Sequence, residues 1–147
     1  MRLNEIMTRD VQCTQPDASL EEAARRMREL NVGTLPVCDK DRLVGMLTDR
    51  DITVRSVADG KDPKTQRVRE VMTTGVHYCF EDQNVEDAVH LMEEKQIRRL
   101  VVLNRDRKLA GIVSLGDLAL GFGDESMMGE ALEAISEPGP PGSRPTI

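Results

Sequence analysis

Two short runs hold the residues best placed to do chemistry. Thr48 and Asp51 stand three apart, as do Ser114 and Asp117. A hydroxyl followed three residues later by a carboxylate, at the start of a helix, makes a capping box. Acids in a first turn also favour the helix dipole. The same geometry can serve a ligand. Free N–H groups at a helix start meet phosphate, and a carboxylate beside them can accept hydrogen bonds from both hydroxyls of a ribose. Spacing alone leaves both readings open.

Phosphate also calls for positive charge, and Arg98-Arg99 supplies two guanidiniums at the start of an apolar run. On a strand the two side chains point to opposite faces, so one of them can face a cleft while the other meets water. Two solvated surface arginines are the alternative. Cys13 and Cys38 are two of only three cysteines. They are either small core residues or a disulfide, whose geometry the sequence does not reveal. His77 and Cys79 are two apart and would share a face of a strand, yet no tetrahedral ligand set is spelled out, so no metal is expected. No GxSxG elbow, phosphate-binding P-loop or HExxH helix occurs, and no enzyme is expected. Gly121-Phe122-Gly123 follows a helix rather than a strand, so it is no dinucleotide fingerprint.

The elements that must position these residues come from a duplication. Ile6-Met7-Thr8 matches Val71-Met72-Thr73 at an offset of 65, as do Ala23 and Ala88, Met27 and Met92, Leu35 and Leu100. After one extra residue near Arg107-Lys108 the offset becomes 66, matching Gly45 to Gly111 and Asp51 to Asp117. Each copy reads alike. In the first, Val11–Thr14 is a short strand. Ser19 opens a helix, with Glu22 as its capping-box partner. Leu20, Ala23, Ala24, Met27 and Leu30 give that helix one apolar stripe. Thr34–Cys38 and Leu43–Leu47 form a hairpin, and a second helix starts near Thr48. In the second copy, the strand is Val76–Cys79, a helix runs from Asn84, a hairpin spans Arg99–Val113, and the last helix starts at Ser114.

The expected boundaries are repeat 1 over 1–58, a polar linker over 59–66 and repeat 2 over 67–121. A C-terminal helix is expected within 122–136 and a tail without regular structure over 137–147. The chain has 147 residues with a net charge of −6, 39% hydrophobic and 2% aromatic. That balance argues against a nucleic-acid-binding face. No apolar run approaches the ~18 residues of a membrane span. The first residues lack an apolar signal region, so a cytoplasmic protein is expected.

These residues resemble CBS (cystathionine β-synthase) domains. The family's strand ending in Gly-x-x-Ser/Thr, followed by two residues and an Asp that opens a helix, occurs twice, as GMLTDRD (Gly45–Asp51) and GIVSLGD (Gly111–Asp117). The likeness covers about residues 3–121. From Leu35 through Pro63 the chain is similar to stand-alone bacterial CBS-pair proteins of the hypoxic-response type. The resemblance implies an α+β fold of two tandem βαββα repeats, packed about a pseudo-twofold axis as one disc (a Bateman module) with clefts between the repeats.

It also implies a non-catalytic sensor of adenine nucleotides, with AMP, ADP, ATP, NAD or S-adenosylmethionine as ligand and no catalytic cofactor. The alternative is a ligand-free interaction or stress-response module, linked to thiol redox. Thr48, Asp51, Ser114 and Asp117 would hold ribose and phosphate, and Arg98 or Arg99 would contact phosphate. Repeat 1 has Gly33-Thr34 where repeat 2 has the arginines, so the sites would be unequal. Thr34, Leu35 and Pro36 would wall an adenine pocket, with Pro36 removing a ladder donor and leaving a carbonyl edge free to read the base. Cys13 and Cys38 fall on strands that pair in CBS folds, close enough for a disulfide. A homodimer through the CBS helices is expected, with Met46-Leu47, Ile52, Val54 and Val57 as its surface. An effector protein, which the sequence does not name, would receive the signal.

Overall fold

The structure is a computed structural model, and it describes residues 1–138. The expected tail lies, from Gly139 onward, outside the described residues. The chain divides into two compact units. One is the continuous stretch Gln12–Val76. The other joins Met1–Val11 to the chain from His77 onward.

In the continuous unit, helix α1 (Leu20–Leu30) starts at Ser19 as expected. The Ser19 hydroxyl accepts from Glu22 N–H at 3.1 Å, and the Glu22 carboxylate accepts from Ser19 N–H at 3.4 Å. Asn31 ends the helix in the left-handed region. Strands β1 (Thr34–Asp39) and β2 (Arg42–Thr48) pair antiparallel, with Thr34 opposite Thr48. Helix α2 (Asp49–Arg55) follows directly. The strand expected over Val11–Thr14 shrinks to one parallel bridge, Thr14 to Val37. Pro16, with no N–H to give, stands two residues on. Leu20, Ala23, Met27, Leu35, Val37, Leu47, Val68 and Val71 form the core. The α1 stripe is wider than that core: Ala24 and Leu30 are exposed.

The other unit repeats the plan. Strand β3 (Tyr78–Phe80) runs parallel to β4 (Arg99–Leu103), and β4 pairs antiparallel with β5 (Leu109–Ser114). Helix α3 (Val85–Lys95) joins β3 to β4, α4 (Leu115–Gly121) follows β5, and α5 (Glu125–Ser136) is the expected extra helix. Its Ala131 and Ile135 enter a core with Val89, Met92, Ile97 and Leu118. The Gln96 side-chain amide donates to the Ala134 and Glu137 carbonyls, both at 3.1 Å, and so holds the end of α5.

The repeated Ile/Val-Met-Thr run acquires a structural meaning. Thr73 exchanges two backbone hydrogen bonds with Met46 on β2, at 2.8 and 2.9 Å. Thr8 does the same with Ile112 on β5, at 2.8 and 3.0 Å. Each run therefore pairs with the hairpin of the other sequence repeat. The motif glycines allow it. A Cβ at Gly45 would lie 2.8 Å from the Thr73 carbonyl oxygen, and one at Gly111 would lie 2.5 Å from that of Thr8.

Candidate functional site

Both motif turns close as capping boxes. Thr48 Oγ1 accepts from Asp51 N–H at 3.0 Å, and Asp51 Oδ2 accepts from Thr48 N–H at 3.0 Å. Ser114 and Asp117 do the same at 3.0 and 2.9 Å. The capping reading therefore holds for one oxygen of each carboxylate. The second oxygens differ. Asp51 is 8% exposed, and its Oδ1 lies 3.9 Å from Arg55 Nε. Asp117 is half-buried, and among the described residues it has no cationic partner.

Arg55 was not singled out from the sequence, although its i,i+4 spacing from Asp51 is a readable signal. It also donates to the Val71 carbonyl at 3.0 Å. Repeat 2 has Gly121 at the matching place. A Cβ there would meet Ile6 Cγ2 at 3.1 Å, so packing leaves little room for an arginine.

Hairpin register brings the remaining repeat-2 residues to this turn. Arg99 stands opposite Ser114 across β4 and β5. The Arg98 carbonyl accepts from Leu115 N–H at 2.8 Å. Both arginine side chains are exposed, and among the described residues neither is in an ion pair. The repeat-1 turn carries one acid more, among the basic residues Arg50 and Arg55. Gly33 accepts from Asp49 N–H at 2.9 Å, and the Asp49 carboxylate lies over Gly33, 2.9 Å from where a Cβ would be. Asp49 and Asp51 thus put two negative charges at that turn, where repeat 2 has Leu115 and Asp117.

The expected adenine wall is only partly available. Leu35 is 1% exposed and packs in the core, and Pro36 is buried. At this edge the Pro36 carbonyl itself is engaged, accepting from Thr14 N–H at 2.9 Å. Thr34 alone of the three is partly open. Proline did remove a donor from β1, but the neighbouring chain uses the carbonyl beside it.

Cys13 and Cys38 are brought together, with their sulfurs 3.0 Å apart as free thiols. The hydrogen bond from Cys38 holds the Cys13 thiol below its usual range, burial opposes this, and the Arg26 guanidinium adds to the lowering. Cys38 is pushed up by that same hydrogen bond and by burial. His77 and Cys79 do not share a face. His77 is exposed and precedes β3, while Cys79 is 3% exposed in the core, its thiol pushed up to about 11 by burial and the nearby charge of Asp87. Met46 and Leu47, expected on a dimer surface, are 1% and 0% exposed: Leu47 enters the core, and Met46, on the opposite face of β2, is covered as well. Val54 and Val57 are exposed as expected.

A family model described as CBS domain matches residues 3–57 and again 68–122. The chain belongs to the CBS domain family. Its two CBS domains carry the two motif turns. The CBS domain-containing protein YhcV of Bacillus subtilis is 42% identical over 134 residues, covering 91% of this chain and 94% of that protein. Hypoxic response protein 1 of Mycobacterium tuberculosis is 37% identical over 135 residues, covering 91% of this chain and 93% of that protein. A crystal structure of Hypoxic Response Protein I with two coordinated zinc ions matches at TM-score 0.75 and 38% identity, over 82% of this chain and 98% of that one. The CBS protein CBSX2, crystallised in complex with AMP, matches at TM-score 0.70 and 27% identity, over 85% of this chain and 98% of that one. No helix among the described residues is long and apolar enough to cross a membrane.

Proposed function

We propose that this CBS pair is a non-catalytic, cytoplasmic sensor of adenine nucleotides, that its principal ligand contacts lie at the Ser114–Asp117 turn, and that it works as a homodimer on a separate effector protein. The observation that carries the reading is the hairpin register, which sets the backbones of Arg98 and Arg99 beside the Ser114–Asp117 turn, where the carboxylate has one oxygen to spare. A ribose needs an acceptor for its hydroxyls, and a phosphate needs cations. The repeat-2 turn offers both. The repeat-1 turn has its carboxylate opposite Arg55, and Gly33-Thr34 stand where repeat 2 has the two arginines. The AMP complex of CBSX2 supports the ligand class.

Thermal melting with AMP, ADP, ATP, NAD and S-adenosylmethionine tests this. A ligand at 100 times its Kd stabilises by about 2.7 kcal/mol, which at about 2–4 °C per kcal/mol is a Tm shift of about 5–11 °C. Asp117→Ala should remove at least half of that shift, and Asp51→Ala should leave most of it. The ligand-induced shift is the quantity to compare, because either variant also loses a cap worth about 1 kcal/mol. No shift with any of the five, or a shift abolished only by Asp51→Ala, refutes the assignment.

One observation favours a second reading, a thiol switch: the 3.0 Å approach of Cys13 and Cys38. The Cys13 thiolate would attack a small-molecule disulfide and release one thiol, leaving a mixed disulfide. Cys38 would give up its proton and attack the Cys13 sulfur, releasing the second thiol. One external disulfide is reduced to two thiols as the Cys13–Cys38 bond forms, and the sulfurs close to about 2.05 Å. Incubation with oxidised glutathione should then lower the thiols titrated under denaturing conditions from three to one. Three remaining thiols, or stable glutathione adducts, would exclude the switch.

A further inference from the structure

Repeat 1 holds a pair of thiols that repeat 2 lacks. At the offset of 65, Cys13 and Cys38 correspond to Tyr78 and Leu103. Both cysteines lie within the continuous unit Gln12–Val76. The bridge from Thr14 to Val37 sets their backbones side by side, and Cys38 N–H donates to the Thr14 carbonyl at 2.9 Å. Their sulfurs stand 3.0 Å apart as free thiols. Cys38 is buried. Cys13 is half-buried and lines an open groove of about 430 Å3 beside α1.

The number of ligands decides what such a pair can hold. A structural zinc ion takes four protein ligands, and among the described residues no group of three or more His, Cys, Asp or Glu side chains could hold a metal ion. The pair suits a centre that needs only two protein sulfurs. A trivalent arsenical with one organic substituent, R–As(OH)2, is such a centre. Soft centres prefer thiolate, and the third position on arsenic is filled by its own carbon. Pyramidal arsenic sets two sulfurs near a right angle, at a separation close to the 3.0 Å already present. A disulfide would instead draw them in to about 2.05 Å. The groove beside Cys13 leaves room for the substituent. Arg25 and Arg26 there are balanced by Glu22 and Glu29, so a neutral substituent meets no net charge. The hydrogen bond from Cys38 and the Arg26 guanidinium both favour the thiolate at Cys13.

We propose that Cys13 and Cys38 form a dithiol site for organic trivalent arsenicals, with arsenic held between the two sulfurs and its substituent toward the groove. The Cys13 sulfur attacks arsenic and displaces one hydroxyl. Cys38 then attacks the same arsenic and displaces the other. Two As–S bonds form and two As–O bonds break, and the two thiol protons leave with the hydroxyls as two waters. Neither sulfur nor arsenic changes oxidation state. The site shares its thiols with the switch described above but goes beyond it, because capture needs no oxidant.

Phenylarsine oxide, which hydrates to such a species, is the probe. Intact mass of the reduced, folded chain should show one phenylarsenic group. Excess monothiol should leave that group in place, and a small dithiol should remove it. Cys13→Ser and Cys38→Ala should each weaken binding about a hundredfold or more, because the second bond is no longer made within one molecule. Cys79→Ala should change nothing. Melting curves check that each variant folds, and Cys13→Ser, at the half-buried position, carries the test if Cys38→Ala does not. No bound group, a group that monothiol strips away, or binding unchanged in Cys13→Ser overturns the proposal. Oxidised glutathione separates it from the switch. A Cys13–Cys38 disulfide without arsenic binding sinks this site and leaves the switch, whereas arsenic binding without a disulfide supports the site and sinks the switch.

Discussion

Gly111→Val is expected to lower the melting temperature by about 6–12 °C, at about 2–4 °C per kcal/mol for a chain of this size. The position is on β5, where the Met7-Thr8 run crosses it. A Cβ at Gly111 would sit 2.5 Å from the Thr8 carbonyl oxygen and 2.9 Å from Met7 Sδ. The thioether can move aside. The carbonyl is fixed, because Thr8 and Ile112 exchange hydrogen bonds of 2.8 and 3.0 Å. Overpacking costs about 1–3 kcal/mol, and each lost hydrogen bond adds about 0.5–1.5 kcal/mol, so a total near 3 kcal/mol is expected. Gly116→Ala is the control. Its nearest atom would be Ser114 Oγ at 3.6 Å, and in a helix alanine is favoured over glycine by about 1 kcal/mol. Calorimetric melts of the two variants decide the matter. A Gly111→Val protein that melts within about 2 °C of the parent, well under the expected loss, would mean that Thr8 does not pack on β5.

The second large effect concerns phosphate. Arg98→Ala or Arg99→Ala, or both, should weaken AMP and ATP about tenfold or more while sparing adenosine. Losing a charged hydrogen-bond partner costs about 1.5–3 kcal/mol, and tenfold is about 1.4 kcal/mol. Neither side chain is in an ion pair or buried, so truncation should not disturb the fold. Guanidinium forks match phosphate oxygens well, which makes lysine at either position a partial substitute only. Titration calorimetry with adenosine, AMP and ATP separates the outcomes. Equal losses for all three ligands would give the arginine a structural role. No loss would make it a surface charge.

Much of this architecture was legible because the chain states it twice. Ser19 and Glu22 announced the start of α1, and the turns at Thr48 and Ser114 were found at the residue. The extra helix was expected within 122–136 and spans Glu125–Ser136. Pairwise facts were less accessible. Pro36 told of a missing donor, but the use of its carbonyl depended on Thr14, more than twenty residues away. Met46 and Leu47 looked like surface residues until strand alternation and the Met72-Thr73 crossing buried them. The contrast between Asp51 and Asp117 turned on Arg55 and Gly121, which belong to no motif. The repeat boundaries expected from sequence mark where the pattern recurs, whereas the compact units follow the contacts.

The crossed Met-Thr runs also set an order of events during synthesis. The unit Gln12–Val76 is continuous, so all of its strands and helices have been made once Val76 emerges. The other unit needs the first eleven residues, and Thr8 finds its partner Ile112 only about a hundred residues later. At about 5–20 residues per second, the segment carrying Leu3, Ile6 and Met7 waits on the order of 5–20 s with its apolar side chains unpaired. The end of the chain that is made first is therefore among the last to be fixed, and the ribosome itself separates the closing of the two units in time.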